Sequence, residues 1–116
     1  MKQQRDYSAY LNDIYDLIKK GMSFINEMTF EEFKADEKTQ YALIRVIEII
    51  GEAGKKIPGE IKMRSNDIPR REISGMRDLL IHDYFGVNIN VVWETVKNDF
   101  PKLKDKIQKL IQDINL

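Results

Sequence analysis

The chain has 116 residues, enough to bury one hydrophobic core and too few for two, so a single domain spanning residues 1–116 is expected. Nineteen basic and nineteen acidic side chains cancel to zero net charge, which excludes a strongly basic nucleic-acid footprint and leaves RNA contacts to a local patch or to two combined protomers. The absence of cysteine and of any uninterrupted run of about 18 apolar residues excludes disulfide frameworks, cysteine-rich zinc sites and membrane spans, and favours a cytoplasmic protein without a membrane partner.

Apolar residues recur along the chain at helical spacing, without a convincing run of strand alternation. The first predicted helix carries one apolar stripe at three- and four-residue steps, made of Tyr7, Tyr10, Leu11, Ile14, Ile18, Met22 and Ile25. Thr29 followed by Glu32 is the pattern of a capping box, which predicts a short second helix through Phe33. Asp36 is a candidate cap for a third helix.

The third predicted helix ends before the Pro-Gly pair at 58–59. Its buried stripe consists of Leu43, Val46, Ile47, Ile50 and Ile57. Residues 59–66 are expected to form a loop. Asp67 with Pro69 just after it predicts the start of a fourth helix, which closes near the Phe-Gly pair at 85–86.

Asn88 and Asn90 are both candidate caps for the next helix, which contains the apolar residues Val91, Val92, Trp93 and Val96. Asp99 and Pro101 either separate this helix from a last one or kink it into that helix. The last helix buries Leu103, Ile107, Leu110, Ile111 and Ile114. Together these patterns predict an all-α fold, an up-and-down helical bundle of four to five main helices.

Residues 77–84, RDLLIHDY, follow the spacing R-x4-H-x-Y and contain the only histidine of the chain. A guanidinium binds phosphate through a planar fork of donors, and an imidazole can take the proton of a ribose 2′-hydroxyl near neutral pH. Arg77 and His82 therefore indicate RNA cleavage that needs no metal and no cofactor. The plain alternative is that Arg77 forms a weak surface ion pair with Asp78 or Asp83 while His82 packs at a helix end.

The angular separation of Arg77 and His82 predicts a homodimer. At 100° per residue the two side chains are about 140° apart, so one helix does not easily direct both at a single phosphate. A second copy of the helix across a two-fold axis would bring two arginines and two histidines around a shared groove.

The motif lies in a longer stretch, Ile73 to Lys97, which resembles the HepT family of HEPN-domain ribonuclease toxins. In that family R-x4-H-x-Y is followed by a short loop and a helix that opens on Val-Trp. The resemblance extends to residues 49–53 and to Arg5 and Asp6, so it covers most of the chain. It implies an all-α, HEPN-like, homodimeric fold and a toxin-antitoxin pair in which an adjacently encoded minimal nucleotidyltransferase neutralises the ribonuclease.

Each residue of the motif has an expected role. His82 is the general acid or base, and Arg77 binds the scissile phosphate and its developing charge. Asp78 orients the imidazole and favours its protonated form, although related families often carry asparagine there. The resemblance implies that the nucleotidyltransferase attaches AMP to Tyr84. The alternative is that Tyr84 is a core residue whose hydroxyl has a hydrogen-bond partner.

Other candidates point to structure more than to chemistry. Gly51 and Gly54 predict a close helix approach, and Trp93 is expected to be a core or interface anchor instead of a base-stacking platform. A basic side of the last helix consists of Lys102, Lys104, Lys106 and Lys109. Such a side is usually only a solvated face, and the alternative is that it guides RNA or an acidic partner. The helix dipole accounts for the carboxylates at predicted helix starts, and the chain offers no good ligand set for a metal.

Three functions are consistent with these patterns. The first is a metal-independent endoribonuclease toxin acting through Arg77 and His82. The second is a non-catalytic helical subunit that docks a nucleotidyltransferase, presents Tyr84 for modification and only binds nucleotide phosphate. The third is an unrelated helical-bundle protein with a structural role. An activity assay separates the first from the second.

Overall fold

The computed structural model describes residues 2–55 and 88–115, and all regular structure in these two ranges is helical. The elements are α1 (Lys2–Phe24), α2 (Phe30–Lys34), α3 (Glu37–Lys55), α4 (Ile89–Glu94), a π-helical turn (Thr95–Asp99) and α5 (Phe100–Asn115). The predicted all-α helical bundle is confirmed. No helix in the described ranges is long and apolar enough to cross a membrane.

The long helix α1 packs between α3 and α5 and supplies much of the core. Most of its predicted apolar stripe is confirmed, because Leu11, Ile14 and Ile18 are completely buried and Ile25 is buried just beyond the helix end. Tyr10 and Met22 are half-buried, and the side chain of Tyr7 lies outside the described residues. Side chains from the other described elements complete the core. They are Phe33, Leu43, Val46, Ile47, Ile50, Val92, Val96, Phe100, Leu103, Ile107 and Leu110.

The α1 and α5 helices approach each other closely at Gly21. A Cβ atom built on this glycine would lie 2.9 Å from Cε2 of Phe100 and 3.4 Å from Cγ1 of Val46. Any larger residue at this position would therefore displace a ring that is itself completely buried. Sequence analysis placed close helix approach at Gly51 and Gly54, which are buried, but did not identify Gly21.

The capping box at the start of α2 is confirmed. The Thr29 backbone N–H donates to the Glu32 carboxylate at 2.9 Å, and the Glu32 backbone N–H donates to the Thr29 hydroxyl at 3.1 Å. The other end of α2 is held by Gln40, whose side-chain amide donates to the carbonyls of Phe33 and Lys34 at 2.9 and 3.0 Å. These bonds join α2 to α3. The helix runs through Phe33, as predicted, and the Phe33 side chain is completely buried.

Asp36 caps α3, as its position in the sequence predicts. Its carboxylate accepts hydrogen bonds from the Thr39 backbone N–H at 3.0 Å and from the Thr39 hydroxyl at 2.7 Å. The bond from the Thr39 hydroxyl is the main reason that the pKa of Asp36 lies below its ordinary value. The α3 stripe is buried through Ile50; Ile57, the helix end at 58–59 and the loop at 59–66 lie outside the described residues.

We expect the substitution Asp36→Asn to flatten the pH dependence of stability in acid. A lowered pKa in the folded state stabilises the native protein above the pKa of the unfolded chain, and this contribution is lost as pH falls through the folded pKa. The free energy of unfolding in urea should therefore decline less steeply below about pH 4 in Asp36→Asn than in wild type. Thr39→Val, which removes the hydroxyl donor, should act in the same direction. Equal slopes in all three proteins would contradict this role of the cap.

Asn88, not Asn90, caps α4, because its side-chain oxygen accepts the Asn90 backbone N–H at 3.0 Å. Of the two alternatives at Asp99 and Pro101, separation into two helices is wrong: the backbone stays helical from Ile89 to Asn115, and a π-helical turn lies at the junction with the last helix. In this turn the Phe100 N–H donates to the carbonyl of Thr95. In a regular α-helix a proline has no N–H to donate, and its ring clashes with the carbonyl four residues before it. The wider π-helical turn just before Pro101 offers a physical reason why the helix continues past this proline.

Candidate functional site

Arg77, Asp78, His82 and Tyr84 lie outside the described residues, and so does the predicted fourth helix that carries them. Their proximity and their roles remain predictions. The structure does describe the two flanks of this segment, α3 up to Lys55 and α4 from its cap onwards. Asn88, the first described residue after this segment, is four residues beyond Tyr84 in the sequence.

The downstream flank is fixed by Trp93, the single tryptophan of the chain. Its ring lies 5.2 Å from the ring of Phe33 in a tilted arrangement and 5.6 Å from the ring of Phe30 in an edge-to-face arrangement, as measured between centroids. Such aromatic pairs contribute about 0.5–1.5 kcal/mol beyond the area they bury. The prediction that Trp93 is a core anchor is confirmed, since the half-buried ring packs against the core.

A lysine completes the surroundings of this tryptophan. The Nζ atom of Lys97 lies 5.4 Å from the centroid of the Trp93 ring, within cation–π range. The residues that join α4 to α2 are thus Phe30, Phe33 and Trp93, with Lys97 above the exposed side. The sequence does not predict this cluster, because the α2 and α4 residues are about 60 positions apart and no helical spacing relates them.

The upstream flank is the last part of α3. Ile50, Gly51 and Gly54 are buried, Ala53 is half-buried and Glu52 is exposed. The α3 and α4 helices are in contact. The helix that precedes residues 56–87 and the helix that follows them therefore pack on the same core.

The predicted basic side of the last helix carries mixed charge. Lys102, Lys106 and Lys109 are exposed on α5, but Asp105 and Asp113 are exposed on the same outer surface. By helical periodicity Asp105 lies one turn from Lys109, and Lys109 one turn from Asp113. With Lys104 half-buried beside them, the four lysines of α5 exceed its two aspartates by two charges, so the face is mixed and only weakly basic, in line with a solvated surface.

Two other features of the described residues do not form a site for RNA phosphate. A shallow depression of about 320 Å³ is lined by Ser23, Phe24, Asn26, Glu27, Met28 and Glu32. Its two carboxylates disfavour an anion. Within residues 2–55 and 88–115 there is no cluster of three or more histidine, aspartate or glutamate side chains that could hold a metal ion.

Comparison with known proteins gives a match over most of the chain. The family model described as Ribonuclease HepT-like matches residues 14–110, a span that includes Arg77, Asp78, His82 and Tyr84. A protein of Thermococcus cleftensis named "Probable ribonuclease HepT" is 50% identical over 107 residues, which are 92% of this chain and 97% of that protein.

Two further relatives are similarly complete. A protein of Methanocaldococcus jannaschii named "Putative RNase" is 44% identical over 111 residues, which are 96% of this chain and 92% of that protein. Another protein with this name, from Caldanaerobacter subterraneus, is 38% identical over 113 residues, 97% of either chain. No solved structure gives a significant match.

Proposed function

The chain belongs to the Ribonuclease HepT-like family, and we propose that it is an endoribonuclease toxin that cleaves RNA without a metal ion. The observation that carries this proposal is the match over residues 14–110 together with a relative of nearly equal length, 50% identical, named as a ribonuclease. The proposal treats residues 1–116 as one catalytic domain. Its site residues are Arg77 and His82, supported by Asp78.

In the proposed mechanism His82 accepts the proton of the ribose 2′-hydroxyl. The 2′-oxygen attacks the adjacent phosphorus, the bond from phosphorus to the 5′-oxygen breaks, and the leaving oxygen takes up a proton. The products are a 2′,3′-cyclic phosphate and a 5′-hydroxyl. Arg77 stabilises the charge that develops on the phosphoryl oxygens, and Asp78 holds the imidazole in a productive orientation.

We propose that two protomers form the active dimer, with their motif helices facing each other across a two-fold axis. The support is the angular separation of about 140° between Arg77 and His82 on one helix. The zero net charge of the chain adds to it, because a single copy has no general excess of positive charge to hold RNA. Two copies of Arg77 around one groove would supply the missing local field.

Expression of the chain from a tightly controlled promoter tests the proposed function. Wild type should arrest growth and degrade RNA, and the purified protein should cleave RNA in EDTA and leave 2′,3′-cyclic phosphate ends. The His82→Ala variant should neither arrest growth nor cleave RNA. Cleavage that requires added metal, or products with a free 3′-hydroxyl, would contradict the mechanism. A wild-type chain that binds a nucleotidyltransferase but never cleaves RNA would favour the non-catalytic docking subunit.

We expect Tyr84 to be the control point of the enzyme. A cognate nucleotidyltransferase would transfer AMP from ATP to its hydroxyl, which lies two residues beyond His82 in the sequence. The added phosphate would compete with RNA for Arg77 through charge-assisted hydrogen bonds and would also occupy the cleft. Intact-mass measurement after incubation with this partner, ATP and magnesium should show one or more AMP increments, and RNA cleavage should stop.

The chain offers matched controls for this modification, because it contains four other tyrosines. Tyr84→Phe should block AMP transfer and escape inhibition, whereas Tyr41→Phe, at an exposed position of α3, should behave as wild type. Fragmentation should place the AMP group on Tyr84. Modification of Tyr7, Tyr10 or Tyr41 instead, or full cleavage by the modified protein, would remove Tyr84 from the control mechanism.

A further inference from the structure

We draw no further inference here: the strongest candidate, the shallow depression between the end of α1 and α2 that is lined by Phe24, Glu27, Met28 and Glu32, rests on two carboxylates beside one exposed phenylalanine, and nothing in the part of the chain that the structure describes shows what covers it.

Discussion

Replacement of His82 by alanine should reduce the rate of RNA cleavage by about 100- to 10,000-fold, the usual contribution of a positioned general acid or base. Without the imidazole no other histidine is present to take the 2′-hydroxyl proton, because His82 is the only one in the chain. Arg77→Ala should lower the rate by about 100- to 1,000-fold, since the developing phosphoryl charge loses its fixed donors. Both variants should keep the circular dichroism spectrum and the unfolding midpoint of wild type.

Mixing the two inactive proteins tests whether the site is shared between protomers. Heterodimers of Arg77→Ala and His82→Ala should regain part of the activity if each site takes its arginine and histidine from different subunits. Arg45→Ala, which removes an exposed arginine of α3 that pairs with Glu48, is the matched control and should cleave RNA normally. Undiminished cleavage by His82→Ala would eliminate the proposed chemistry, and a fully active monomer would eliminate the shared site.

Replacement of Gly21 by leucine should destabilise the fold by about 3 kcal/mol or more, near the upper end of the range for overpacking a core. Even the first side-chain atom would come within 2.9 Å of the Phe100 ring, which is completely buried. For a chain of this length such a change lowers the melting temperature by roughly 10 °C. Urea and thermal unfolding of the purified protein measure both quantities.

The neighbouring residue on the same helix provides the control. Lys20→Leu introduces the same side chain at an exposed position and should change stability by no more than about 0.5 kcal/mol. Phe100→Ala in the Gly21→Leu background should cost less than Phe100→Ala alone, because the leucine then fills space that the ring vacates. Equal stability of Gly21→Leu and Lys20→Leu would show that α1 and α5 are not in close contact at this point.

The parts of this fold that the sequence predicts are those decided by neighbouring residues. Thr29 and Glu32 form two hydrogen bonds with each other within one helical turn, and the Asp36 carboxylate accepts a hydrogen bond from a backbone N–H three positions ahead. The apolar stripe of α1 repeats at helical spacing, and its members Leu11, Ile14 and Ile18 are buried. Each of these signals is contained in a short window of chain, so inspection of the sequence is sufficient to find it.

The parts that the sequence does not predict depend on contacts between distant residues. Nothing near Gly21 indicates that a phenylalanine almost 80 positions away will lie against it. Pro101 is an ordinary stop signal, and only the π-helical turn before it allows the helix to continue. For the candidate site, Arg77, His82 and Tyr84 are identified by a motif, whereas the anchoring of Trp93 by α2 depends on the assembled fold.

The packing of α1 against α5 also affects the order in which the protein can fold during its synthesis. The α1 helix leaves the ribosome before α5, and the Phe100 ring that lies against Gly21 is translated about 80 residues later, some 4–16 s at ordinary elongation rates. Until then Leu11, Ile14 and Ile18 lack one of their two helical neighbours. A nascent chain that stops before Phe100 cannot close this core, so the helices made first stay only partly packed until α5 has been translated.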